Sequence, residues 1–319
     1  MELNAIPFPV YARDVLPLTK GLWAGQRDFE TYVAQTGEIA ASGYGKKFYQ
    51  TLGLYEGRRL VASCKRYERT LHLGEQLLRA IGIGAVFTPA DLRGSGYASV
   101  MLAMLLDEAR ANGAHVAYLF SDIHPSFYAQ IGFAELPSRA ISLRADSLAR
   151  SRITVANAQA SDWTGIRRCY DSGEKERAWG FTRAPLVWNW IRLRREHGSE
   201  QPGGTPVQLV IRSGSRVIAY VLGARDIKRD ALIVEEYGFA SLEGRARIPA
   251  LLRSAAGDLR RVVGWLPPQN ARELLPRGSV RKRKDAILMM APLSALGKKL
   301  LATATTSATL DGVWSADHI

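Results

Sequence analysis

Apolar and polar positions along this chain change period in an order that predicts two successive α/β units. Residues 80–87 are a continuous apolar run, the pattern of a strand buried on both faces. A glycine-bearing turn follows. From Tyr97, Val100, Leu102, Leu105, Leu106 and Ala109 recur on one side with Asp107, Glu108 and Arg110 opposite, so an amphipathic helix is predicted. Asn112-Gly113 ends it where a left-handed residue is wanted. Residues 115–120 predict a second buried strand, and a short helix then carries Phe127 and Tyr128. Upstream, residues 14–42 predict two helices split near Gly25, residues 43–47 break the pattern, and residues 48–55 and 60–73 predict a hairpin around 56–59.

Past Phe133, residues 134–144 read as strand and 145–152 as connector. The programme then restarts. Residues 153–156 predict a short strand, and Ser161-Asp162 an N-cap for a helix through Tyr170. Trp179, Phe181, Thr182, Arg183, Trp188 and Trp190 form a tryptophan-rich stretch, and residues 198–206 a Gly/Pro loop. A hairpin (207–212 and 217–224), strands at 231–239, 261–266 and 286–290, and a helix at 247–256 complete the second unit. Domains are therefore expected at 1–148 and 149–319.

A buried strand, a turn with Gly94 and Gly96, a helix and another strand together make an anion site. Free amides at the helix start point at the ligand, and the glycines let a phosphate approach closely. A dinucleotide fingerprint would need a third glycine where Ser99 stands, and a Walker loop would need Gly-Lys-Ser/Thr, which is absent.

The turn Asp91-Leu92-Arg93-Gly94-Ser95-Gly96 resembles the Q/R-x-x-G-x-G/A motif of the GCN5-related N-acetyltransferases (GNATs), with Asp91 departing from the first position. Phe127-Tyr128-Ala129-Gln130-Ile131-Gly132-Phe133 is similar to that superfamily's F-Y-x-x-x-G-F signature. The resemblance implies an α/β fold of two tandem GNAT-type domains, each a mixed, splayed central sheet flanked by helices. The second copy, with Gly238 to Arg245 at its turn, has no G-x-G, and Glu243 there would repel an anion; it reads as degenerate and as a wall of the acceptor site. Two-domain chains of this kind resemble yeast lysine N-acetyltransferases through residues 86–99, 120–128 and 179–190. They resemble mycobacterial enhanced-intracellular-survival acetyltransferases more loosely.

From the resemblance, acetyl-CoA is the expected co-substrate. Val86, Phe87 and Thr88 would pair with its pantetheine arm, and Arg93, Gly94, Ser95, Gly96, Tyr97 and Ala98 would hold its pyrophosphate, with Ser121 beside it. Tyr128 stands at the family's general-acid position; its alternative is an aromatic packed under a helix. For the base, Asp122 and His124 lie at the mouth of the splayed strands. Asp122 reads equally as an N-cap, His124 as a solvated loop residue, and Glu68, Glu75 or a water chain would also serve. The tryptophans either line an acceptor pocket or form inter-domain core.

The acceptor implied is a primary amine of a small molecule, such as lysine, a polyamine or an aminoglycoside. A cationic amine of this kind requires Glu68, Glu75, Asp122, Glu235 or Glu236 to converge on the cleft. Composition keeps alternatives open. Residues 1–150 carry 16 Lys and Arg against 14 Asp and Glu, and the remainder 27 against 16. That basic second half is either a solvated surface or the footprint of an anionic partner, which would make the chain a transferase acting on aminoacyl-tRNA, or a non-enzymatic acyl-CoA sensor or nucleic-acid-binding module. Two cysteines, Cys64 and Cys169, five scattered histidines and no membrane-length apolar run point to free thiols, no metal, no membrane and the cytoplasm. No signal-peptide pattern is expected at the N-terminus.

Overall fold

The computed structural model describes residues 1–198, 204–306 and 313–319, so residues 199–203 of the loop expected at 198–206 lie outside the described residues. After β1 (Glu2–Ala5) come three helices, α1 (Phe8–Asp14), α2 (Leu16–Trp23) and α3 (Phe29–Ala41); α2 and α3 are the two expected within residues 14–42, and α1 precedes that range. The break between α1 and α2 precedes Pro17, which is tolerated only in a helix's first turn and so begins α2. The Gly25 break is present, with φ +61°. Residues 43–47 form α4 (Gly43–Phe48) instead of a break. Ser42 caps it by accepting the Gly45 N–H at 2.9 Å, and a side chain on Gly45 would meet the Ile39 carbonyl at 2.0 Å. Its glycine serves close packing.

The first sheet is then laid down by β2 (Tyr49–Glu56), β3 (Arg59–Leu73) and β4 (Gln76–Phe87), followed by α5 (Tyr97–Ala111), β5 (Val116–Ser121), α6 (Ser126–Ala129) and β6 (Ala134–Glu135). Next come β7 (Arg139–Arg144), β8 (Ala156–Asn157), α7 (Trp163–Glu174), β9 (Trp179–Thr182) and α8 (Pro185–Glu196). The rest is β10 (Thr205–Ser213), β11 (Arg216–Asp226), β12 (Ala231–Phe239), α9 (Leu242–Ala256), β13 (Arg261–Trp265), α10 (Gln269–Arg272), β14 (Ser279–Lys282), β15 (Ile287–Pro292) and α11 (Ala295–Thr306). Among the described residues no helix is long and apolar enough to cross a membrane.

Two mixed sheets result, ordered β1-β2-β3-β4-β5-β15-β6 and β14-β7-β13-β12-β11-β10-β8. In each, a parallel pair sits beside antiparallel neighbours: β4 with β5, and β12 with β13. Residues 134–144, expected as one strand, are divided between the sheets. Pro137 interrupts the ladder, and Ser138 Oγ accepts the Leu288 N–H at 3.0 Å where the chain crosses over. The sheets therefore do not part at 148/149. β7 completes the second sheet, while β15 and β9 join the first.

The helix through α8 welds the halves. Trp188 and Trp190 fall on different faces, as their spacing requires. Trp188 enters the second core against Tyr170 (5.3 Å), and Trp190 stacks on Tyr44 of the first half at 4.8 Å. Both are almost fully buried, so they are inter-domain core. Beside them Asp317 receives Arg69 and Arg183, each at 2.7 Å, and Arg183 also meets Glu236 at 2.5 Å, all buried.

Candidate active site

β4 and β5 are paired only from Ala80↔Val116 to Ile83↔Leu119; beyond that they diverge and leave residues 84–87 without a partner on that side. The divergence starts at a bulge. Opposite β3 the register slips between Ser63↔Phe87 and Lys65↔Gly84, and Ala85 takes φ +49°. The β5 side of residues 84–87 is thus open, the geometry an extended pantetheine chain needs. Ala85 was not singled out by the sequence, because a left-handed alanine leaves no compositional mark.

β4 runs into a 3₁₀ turn at Ala90–Leu92 and then α5. Gly94 and Gly96 have φ +83° and +81°, and a Cβ at either would meet nothing within 4 Å. Gly96 is the N-cap of α5 and offers no side-chain acceptor, so the amides of Tyr97, Ala98 and Ser99 open onto empty space. This open cradle fits a pyrophosphate. Arg93 donates to the Thr88 carbonyl (3.3 Å) and closes the loop, and Tyr97 donates to Glu56 (3.2 Å). Asp91, the departure from the family pattern, is paired with Arg59 at 2.5 Å, which offsets its charge beside the cradle.

Tyr128 projects from α6 into the core under α5, edge-to-face with Phe127 (4.9 Å) and Phe133 (6.0 Å). Burial pushes its pKa up to about 12, with Asp122 and Cys64 adding to the rise. The phenol therefore keeps its proton at neutral pH. Asp122 is exposed and accepts the Ala286 N–H at 2.9 Å; no side chain caps α6, so its N-cap reading is replaced by a tether to the strand bearing β15. His124 is exposed and shares a 2.9 Å hydrogen bond with Ser126. Ser121 is buried, and its hydroxyl donates to Ile123 C=O at 2.8 Å, shaping the turn that aims α6.

The convergence of carboxylates expected for a cationic amine acceptor such as lysine does not occur. Glu235 pairs with Arg195, and Glu236 with Arg183 and the Tyr220 hydroxyl, all inside the protein. Glu68 pairs with Arg66 at 2.8 Å, and Glu75 lies in the exposed β3–β4 turn. Buried carboxylates need counter-ions, and the arginines of the second half supply them. Of the five, only Asp122 stands beside Tyr128.

The second copy lacks the cradle. Ser241 caps α9 by accepting the Gly244 N–H at 3.1 Å, and a Cβ on Gly244 would lie 2.0 Å from Ile218 O. β12 and β13 also part, after Val234↔Gly264. There Ser315 donates to the Glu235 carbonyl (3.1 Å) and Trp314 packs on Tyr237 (4.9 Å), so the gap is filled by the chain itself. The same segment continues to the first gap, where His318 packs on Phe120 (5.0 Å) and Ile319 lies against Gly82 and Gly84. Burial pulls the His318 pKa down to about 3, with Arg194 and Arg283 contributing, so it stays neutral and is a weak base. Lys65, directly opposite Gly84, is a second group at this gap that the motifs do not flag. Among the described residues no cluster of three or more potential metal ligands occurs.

Residues 26–136 match the family model described as "Acetyltransferase (GNAT) domain". The chain is similar in structure to a GCN5-related N-acetyltransferase from Anabaena variabilis ATCC 29413 (14% identity, 93% of this chain and 74% of that one, TM-score 0.72). It is similar also to Eis1 from Mycobacterium abscessus (13%, 92% and 74%, TM-score 0.61) and to Saccharomyces cerevisiae N-myristoyltransferase with bound myristoyl-CoA (11%, 91% and 82%, TM-score 0.53). No curated protein matches the sequence significantly. At these identities the structural likeness carries the fold, and the family model carries the first domain. Residues 26–136 thus carry the match to a GNAT domain, and the fold of the chain is that of two tandem GNAT-type domains.

Proposed function

We propose that this protein is an N-acetyltransferase that moves the acetyl group of acetyl-CoA to the primary amine of a small molecule, with one cofactor site per chain. The observation that carries this reading is the open cradle at Gly94–Ala98 next to a splayed, bulged β4, with a protonated Tyr128 alongside. Amides of Val86, Phe87 and Thr88 align the pantetheine arm as an added strand, and one of them polarises the thioester carbonyl. Amides of residues 93–98 hold the pyrophosphate. The neutral amine nitrogen attacks the thioester carbon, the carbon–sulfur bond breaks, and Tyr128 protonates the departing thiolate. Asp122 or His124, both on the turn before α6, receives the proton the amine loses. The second domain binds no acetyl-CoA and walls the acceptor site.

A thiol-release screen of small amines against acetyl-CoA tests this. Thiol appearing in proportion to acetylated amine is the expected result; no release with any amine, despite cofactor binding, would replace the reading with an acyl-CoA sensor. One observation favours a larger anionic acceptor instead. Arg261, Arg281, Lys282 and Lys284 flank a cleft along β13, β7 and β14 that ends at Asp285, next to the residue that binds Asp122. RNA binding that falls steeply with salt would support that reading.

A further inference from the structure

On β3, Cys64 and Arg66 face α5, as the Arg66–Glu108 pair shows, whereas Ser63, Lys65 and Tyr67 face away from it. That second face is the side on which Ile319 lies against Gly82 and Gly84 and onto which the β4–β5 gap opens. Lys65 is half-buried there, one strand from the bulge at Ala85. Its ammonium sits 5.9 Å from the rings of Tyr11 and Tyr49 and has neither an ion pair nor a hydrogen bond among the described residues. Three hydroxyls on this face, Ser63 Oγ, Tyr49 OH and Tyr118 OH, are also buried with no protein partner.

A cation without a hydrogen-bond partner and three unpaired hydroxyls on one sheet face are costly for a folded protein, and a counter-charge supplied by a ligand offsets part of the cost. Resting on the acetyltransfer reading, we propose that Lys65 determines acceptor specificity by binding a carboxylate that the acceptor carries beside its reactive amine. Lys65 beside neutral hydroxyls suits the single negative charge of a carboxylate. Burial, with Arg194 and Arg27 adding repulsion, brings its pKa down to about 8, so it is charged at neutral pH. The other titratable groups facing it, Tyr11, Tyr49 and Tyr67, are all raised by burial and remain neutral there. Carboxylate binding is therefore expected to weaken as pH rises through 8.

The test compares amines that differ only in the carboxylate, lysine against 1,5-diaminopentane, by thiol release from acetyl-CoA. The wild type is expected to prefer lysine in kcat/KM by about tenfold or more, mainly through KM. Lys65→Met should bring the ratio close to one, and Lys65→Arg should restore most of it. Equal use of both amines by the wild type, or an unchanged ratio in Lys65→Met, overturns the proposal. Absence of thiol release with every amine counts instead against the acetyltransfer reading. In that case calorimetry with CoA present decides Lys65 separately. N6-acetyl-lysine should bind about tenfold or more tighter than N-acetyl-1,5-diaminopentane; equal or undetectable binding of both overturns it.

Discussion

In the proposed acetyl transfer, Gly96 and Tyr128 would divide the work between a backbone and a side chain. Gly96 holds a left-handed conformation that a β-branched residue adopts only at a cost, and it leaves the space an anion would fill. Gly96→Val is expected to weaken acetyl-CoA binding by well over about tenfold, read by calorimetry with the melting temperature as control for folding. Unchanged affinity would mean that the cradle is not the pyrophosphate site. Tyr128→Phe keeps the ring among Phe127 and Phe133 and removes only the proton donor. Single-turnover acetyl transfer should fall about 10²–10⁴-fold with cofactor affinity nearly unaltered. A variant retaining half of the wild-type rate would make Tyr128 a packing residue.

At the scale of elements, α5 and α9 are equivalent helices with opposite N-termini. The first begins at a bare glycine and leaves its amides for a ligand, whereas the second begins at Ser241, whose hydroxyl takes the Gly244 amide. Ser241→Ala should therefore cost about 1 kcal/mol of stability in a urea titration and leave acetyl-CoA affinity as it was. A loss of cofactor binding without loss of stability would assign the second copy a site. The bulge in β4 is the third decisive element, because it ends the pairing with β5 and leaves the β5 side of residues 84–87 open.

Across the whole molecule, exchange of β7 and β15 between the sheets and the pairing of β9 with β3 make the halves one structural unit. A single cooperative unfolding transition is expected, and two separated transitions in calorimetry would contradict it. The knot of Arg69, Arg183, Glu236 and Asp317 lies at the junction. Arg183 and Arg69 hold the Asp317 carboxyl below the usual carboxylate range, against the opposing effect of burial. A depressed folded-state pKa contributes stability that is complete above the unfolded value of about 3.9 and is lost as pH falls through the folded value. Burial raises Glu236, whose contribution has the opposite sign, present at low pH and lost as pH rises. Asp317→Asn should thus destabilise by about 3–5 kcal/mol at pH 7, since it leaves two buried guanidinium groups short of a partner. The difference from wild type should shrink below about pH 4, measured as urea midpoints across pH.

Periodicity and turn chemistry were enough to place β4, α5, β5 and the hairpin, because those elements carry strong apolar patterns and glycine punctuation within a few tens of residues. They also located the glycine turn before α5 and the aromatic helix, and they set the second turn apart, since Glu243 and a missing G-x-G are local facts. Tertiary structure decided the rest. Pro137 and Ser138 send one apparent strand to two sheets, and whether residues 287–292 pair with β5 or with the second sheet is a long-range choice that no local pattern encodes. The fate of each charge was equally non-local. Glu235 and Glu236 read like acceptor-site acids, yet arginines distant in sequence neutralise them, while Lys65, which no motif marks, stands opposite Gly84 at the gap. A residue's type is written in the sequence, but its electrostatic role depends on what the fold places within a few ångströms of it.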